Sequence, residues 1–249
     1  MAFHPGGSFF LAAPHRRARP ARAPQPSGHR ALSLPAGSDP QPEPAVLLVD
    51  LAVLVRPGTG AVQGDRAAGL APGTVERHAY RHSSYEAMLL GLTPEHRWAA
   101  GVRQRLAAQV GAVPAAVAVR AWREDRGSRR ERMVELLHRA REAGVRCAVL
   151  ANGAASVRRD LAFHGIGVEV AYCSAELGVT VPSSLAFRAV AEHMGLPPGR
   201  VHYAAAGPVA VAGAREAGMK AALTSGPAQL AVFLAELGVQ AQARTSTAA

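Results

Sequence analysis

Asp50 is the only charged residue in the run Pro44-Ala45-Val46-Leu47-Leu48-Val49-Asp50-Leu51-Ala52-Val53-Leu54-Val55. A carboxylate in such surroundings is expensive to bury unless it is paired, holds a metal or performs chemistry. An aspartate can serve as a nucleophile when its neighbours activate it. A second candidate is Asn152-Gly153, which closes the apolar segment Cys147-Ala148-Val149-Leu150-Ala151. The unpaired N–H groups opening the next helix could receive an anion there, and the same two residues also make a plain tight turn. His78, Tyr80, Arg81 and His82 crowd one short segment and could line a cleft, although such residues on a helix are more commonly solvated or packed. The chain has one lysine, Lys220, just after Gly218-Met219.

These groups need elements to position them. The Val/Leu run around Asp50, bounded by Pro44 and by Arg56-Pro57-Gly58, reads as a strand buried on both faces. Residues 56 to 132 switch to helical patterning broken by Gly and Pro, enough for four short helices. Thr93-Pro94-Glu95 is a helix start, with Thr as N-cap and Pro at the first helical position. That helix runs to about Val110 with Val102, Leu106 and Val110 on one face, and Trp98 and Trp122 read as packing anchors. From Glu131 to Ala143 an amphipathic helix turns Met133, Leu136 and Leu137 inward and stops at Gly144. Strands are then expected at 145–151, 168–173, 201–206 and 221–224, and helices at 156–163, 183–194, 208–217 and 227–237. Such alternation makes a parallel sheet with right-handed crossovers. Ligands of these sheets sit at the carboxyl ends of the strands, so the loops after Val49, Leu150, Cys173 and Tyr203 are the ones to inspect.

With 249 residues, 49% of them apolar and 18% charged, the chain can bury a sizeable core as a soluble globular α/β protein. No run approaches the ~18 apolar residues of a membrane helix. The Phe9–Ala13 patch is too short for a secretory leader, and Arg16 and Arg17 follow it, so the expected location is the cytoplasm. Cys147 and Cys173 lie in strand-like segments and are expected as buried thiols. The formal charge of +10 raises the question of nucleic acid. The arginines, however, are spread over helices without an aromatic stacking platform, which argues against that partner. The Ala/Arg/Gly/Pro bias looks like that of a GC-rich genome, and a bacterial source is expected. Residues 1–44 read as a disordered Pro/Arg-rich arm and 241–249 as a disordered tail.

The strand ending in Asp50 resembles the first motif of the haloacid dehalogenase (HAD) superfamily, an apolar strand ending Asp-x-Asp-Gly. Asp50 matches the nucleophile, while Ala52 replaces the second aspartate. The segment through Ala151-Asn152-Gly153 is similar to motif II, with Ala151 at the hydroxyl position. Ser174 to Pro182 is similar to motif III, with Val181 at the lysine position. Val201 to Met219 resembles motif IV, with Ala205 and Ala206 where paired aspartates stand. The resemblance implies a three-layer α/β sandwich with a parallel Rossmann-like sheet. Its core would be residues 45–55 and 133–240, with a small helical cap inserted at 56–132. It also implies an anion site at Asn152 and Gly153. Mg²⁺ is the family's cofactor, but its ligands are missing here, so no metal or other cofactor is expected. The expectation is a HAD hydrolase-like protein, catalytically impaired or inactive, holding a small anionic or phosphorylated ligand. The alternative is an active phosphatase or dehalogenase using Asp50 as nucleophile.

Overall fold

The computed structural model describes residues 45–238. The expected arm, the expected tail and the last two residues of the expected core therefore lie outside the described residues.

The apolar run does not continue as one strand. β1 is Val46–Asp50, and the chain then turns into a short helix, α1 (Leu51–Leu54). The reason is Asp50 itself, whose extended backbone and side-chain oxygen cap that turn by accepting the Ala52 N–H at 3.0 Å. Leu51, Val53 and Leu54 are still buried, so the helical turn satisfies the same hydrophobic pattern a strand would have. The run ends in β2 (Val55–Arg56).

Five helices follow, one more than the pattern gave: α2 (Gly60–Ala67), α3 (Thr74–Tyr80), α4 (Ser83–Leu89), α5 (Glu95–Val110) and α6 (Ala112–Glu124). They share a core of Val75, Ala79, Met88, Trp98, Val102, Leu106, Ala115 and Trp122. The Trp98 indole donates to Ala79 O and the Trp122 indole to the Tyr80 hydroxyl, so both packing anchors bury their N–H groups with partners. Asp65, another buried carboxylate, is satisfied inside this helical layer by the N–H groups of Gly73 and Val75. The helical insertion closes with β3 (Ser128–Arg129), which pairs antiparallel with β2.

The chain then alternates as expected: α7 (Glu131–Glu142), β4 (Arg146–Ala151), α8 (Val157–Phe163), β5 (Val170–Cys173), α9 (Ser174–Leu177), α10 (Ser184–His193), β6 (Val201–Ala205), α11 (Pro208–Glu216), β7 (Lys220–Leu223) and α12 (Pro227–Ala235). A five-stranded sheet forms in the order β5-β4-β1-β6-β7. Every pairing in it is parallel. Leu47 and Val49 face a layer made by α7, α8 and α12, through Met133, Leu137, Leu161 and Phe233. Leu48 faces α10 and α11, through Phe187, Val190 and Ala214. This is a three-layer α/β sandwich. Cys147 and Cys173 are buried and free. No helix among the described residues is long and apolar enough to cross a membrane.

β1 lies between β4, reached by the chain first, and β6, reached later, so the strand order reverses beside it. Such reversals open a crevice above the strand ends. Asp50 sits at that point.

Candidate active site

Asp50 ends β1 and is its only residue not fully buried. Oδ1 accepts from Ala52 N at 3.0 Å, and Oδ2 accepts from the Tyr203 hydroxyl at 3.3 Å. Tyr203 reaches it because the register pairs Leu48 with Tyr203, two residues below Asp50 on the same face. Burial pushes the Asp50 carboxyl above its ordinary value, and the backbone amides of Ala52 and Ala206 and the Tyr203 hydroxyl only partly offset this. No cation among the described residues contributes to holding its charge. Burial and the adjoining carboxylate also push the Tyr203 phenol well above its usual range, which keeps it a proton donor.

The positions read from the sequence converge on this end of the sheet. The register sets Asp50 against Leu150, so Ala151, Asn152 and Gly153 lie just beyond it on the neighbouring strand. Ala151 and Ala205 are buried, while Ala52, Val181 and Ala206 are half-buried. Val181 packs on the cluster that contains Tyr203 and Leu150.

Asn152 and Gly153 are engaged by the protein itself. The Asn152 amide donates to Val181 O at 2.7 Å and accepts from Val181 N at 2.8 Å, riveting the loop after β4 to the loop after α9. Gly153 N donates to the buried Ser174 hydroxyl at 3.0 Å. Glu176 forms a two-pronged pair with Arg158, at 2.6 and 2.7 Å.

The helical layer contributes no side chain to Asp50 from the segment that seemed promising. His78 bonds Gln109, Arg81 pairs with Glu76, and His82 caps α4 by accepting from Ser84 N. Tyr80 is held among Tyr85, Trp98 and Trp122. The layer meets the sheet loops elsewhere, at Ala154 and Ala175. Gly91 is required there, since its φ is +73° and a Cβ on it would run into the Ala175 carbonyl oxygen.

Lys220 opens β7 and pairs in register with His202, which puts it at the opposite end of the sheet. Arg130 reaches the turn after Asp50, but its guanidinium donates to Ala52 O at 3.5 Å and Ser225 O at 2.6 Å rather than to the carboxylate.

The residues present do not fit a Mg²⁺ site. That ion needs near-octahedral oxygen ligation, usually with more than one carboxylate or with phosphate. Here Ala52, Ala205 and Ala206 offer no side-chain oxygen, and among the described residues no group of three His, Cys, Asp or Glu side chains converges.

Solved structures with this architecture include a HAD family enzyme from Bacteroides thetaiotaomicron, in complex with magnesium and inorganic phosphate. It matches with TM-score 0.57 and 18% identity over 72% of this chain and 93% of its own. The chain has the haloacid dehalogenase-like fold. A defluorinating L-2-haloacid dehalogenase matches this HAD-like chain with TM-score 0.56 and 23% identity, covering 72% of this chain and 80% of its own. The L-2-haloacid dehalogenase from Xanthobacter autotrophicus, with chloropropionic acid covalently bound, matches with TM-score 0.50 and 18% identity, over 72% and 76%. No protein-family profile and no curated protein sequence matches it.

Tyr203 is the site residue that sequence reading missed. The available signal was its place: the one hydroxyl-bearing aromatic in an otherwise small-residue stretch, Tyr203-Ala204-Ala205-Ala206, on the strand next to that of Asp50.

Proposed function

We propose that this HAD-like chain is a hydrolase-like protein without effective turnover, whose former reaction site now serves to bind a ligand. One observation carries the reading. The Asp50 carboxylate accepts from backbone N–H groups and a tyrosine hydroxyl, with no cation among the described residues bonded to it to hold it ionised. An aspartate whose pKa is pushed up by burial, so that its ionised form is disfavoured, and whose oxygens already accept hydrogen bonds is a poor nucleophile. A positioned general acid or base is worth roughly 10²–10⁴ in rate, and Ala52 supplies none. A metal's stabilisation of developing charge is worth several kcal/mol more, and the residues here do not fit one.

The test is turnover of an aryl phosphate and of a 2-haloacid, with and without Mg²⁺, by wild type and Asp50→Asn. No turnover in either protein supports the reading. Turnover abolished by Asp50→Asn overturns it in favour of an active phosphatase or dehalogenase with Asp50 as nucleophile.

A further inference from the structure

Independently of what the site holds, we infer that the helical layer is a lid latched onto the core by the end of α8, where Asp160, Phe163 and His164 grip Arg126 as the chain leaves the layer.

The covalent tie between layer and core is narrow. The chain enters through β2 and leaves through β3, two residues each, paired antiparallel with one another. So slender a ribbon can take up a hinge motion without disturbing the packing on either side. Where the layer rests on the sheet loops it meets Ala154 and Ala175, side chains of one methyl each, which bring little apolar area to the contact. Arg159 of α8 lies 3.9 Å from Glu95 at the start of α5, but it stays largely exposed, and such a pair contributes little. A layer held by these contacts alone would lift readily.

The grip on Arg126 is of another kind. This residue lies between α6 and β3. Its guanidinium donates to Asp160 at 3.3 Å and sits 5.0 Å from the centre of the Phe163 ring. Its carbonyl accepts from the His164 ring Nε2 at 3.0 Å, and Arg129 of β3 donates to the His164 carbonyl at 2.7 Å. The exit strand is therefore bonded to α8 through side chains and backbone at once. The Asp160 side chain is 14% exposed and His164 is buried, so water competes weakly for these bonds. Phe163 is 66% exposed, so the hydrophobic core does not call for it; the cation beside it does.

The test is the rate of thiol labelling at Ala154→Cys in the full chain, followed by peptide mass mapping. Ala154 is 8% exposed and packed in the core of the layer, so a thiol there reacts only when the layer lifts. The native Cys147, buried in the sheet, reports unfolding of the core in the same sample. Slow labelling at position 154 is expected in the otherwise wild-type chain. Asp160→Asn and Phe163→Ala should each raise it about fivefold, the scale of one lost charged contact at a half-exposed site, with Cys147 unchanged. Phe163→Ala alters an exposed side chain and leaves the core intact. Glu169→Gln breaks a comparable pair with Arg146, away from the ribbon, and should leave the rate as it was. The inference is overturned if position 154 labels freely without the latch substitutions, if neither of them raises its rate, or if Cys147 or the Glu169→Gln chain shows the same rise.

Discussion

Tyr203→Phe isolates the one side-chain bond made to Asp50 among the described residues. The tyrosine has no exposed surface, and its ring packs edge-on against Phe187 at 4.9 Å, so phenylalanine keeps the packing and removes only the hydroxyl. The bond is 3.3 Å long, beyond the usual O–H···O distance of ~2.7–2.8 Å, which places it at the weak end of its class. To an ionised carboxylate such a bond is worth about 1.5 kcal/mol, and to a protonated one about 0.5 kcal/mol. The cost of the substitution therefore depends on pH. Asp50 has a raised pKa in the fold, so its share of stability is fully present below the ordinary value of 3.8 and is lost as pH rises through the folded value. The Tyr203 bond holds that value down. Removing it raises the value further and deepens the loss at neutral pH. Urea unfolding of both proteins should show a cost of about 0.5 kcal/mol where Asp50 is protonated in the fold, growing to about 1.5 kcal/mol as pH rises through its folded value. The latter corresponds to roughly 3–6 °C in Tm. Carbon-13 titration of the Asp50 carboxyl should move upward in the variant. Equal costs on both sides of the folded value, or a carboxyl that titrates lower without the hydroxyl, would refute the assignment of this bond.

Asp50→Asn should leave stability unchanged near pH 4 and raise it increasingly toward neutral pH, since the amide keeps the Ala52 bond without a buried charge; denaturant midpoints across pH read this directly. His202 is 4% exposed, its Nδ1 has no partner, and burial together with Lys220 and Arg200 pushes its pKa down. Its contribution is therefore present above the unfolded value of 6.5 and lost as pH falls through the folded one. His202→Leu should flatten that acid limb, and an unchanged limb would show that other groups set it. Ser174→Ala leaves Gly153 N without its acceptor at a site only 1% exposed and should cost about 1–3 kcal/mol in urea unfolding.

Most of the architecture was legible because the second half of the chain alternates buried strands with amphipathic helices. Met133, Leu137 and Ala140 mark the inner face of α7, and Gly144, with φ at +86°, ends it as expected. The turn at Asp50 was not legible. Leu51 to Leu54 are apolar, and a helical turn buries them as well as a strand would; what decides is a single bond from a backbone N–H to the Asp50 side chain. The five positions Ala52, Ala151, Val181, Ala205 and Ala206 were singled out by the resemblance to the HAD motifs, and the structure places them toward one end of the sheet. Tyr203 was invisible for the opposite reason. Its contact spans 153 residues and exists only through the register of β1 against β6, which local patterning does not encode. Likewise, nothing in the motif at Asn152-Gly153 tells that both residues spend their hydrogen bonds on the protein.

The Asn152 rivet bears on how such a chain can drift. One amide side chain fastens two loops 29 residues apart, and Ser174 adds a second fastening nearby. These bonds fasten the two loops, and where they meet one of the alanine or valine positions, Val181, they use its backbone N–H and carbonyl rather than its side chain. This end of the sheet is thus fastened by groups other than the side chains of Ala52, Ala151, Val181, Ala205 and Ala206, so substitutions at those five positions can change its chemistry while the loops stay tied.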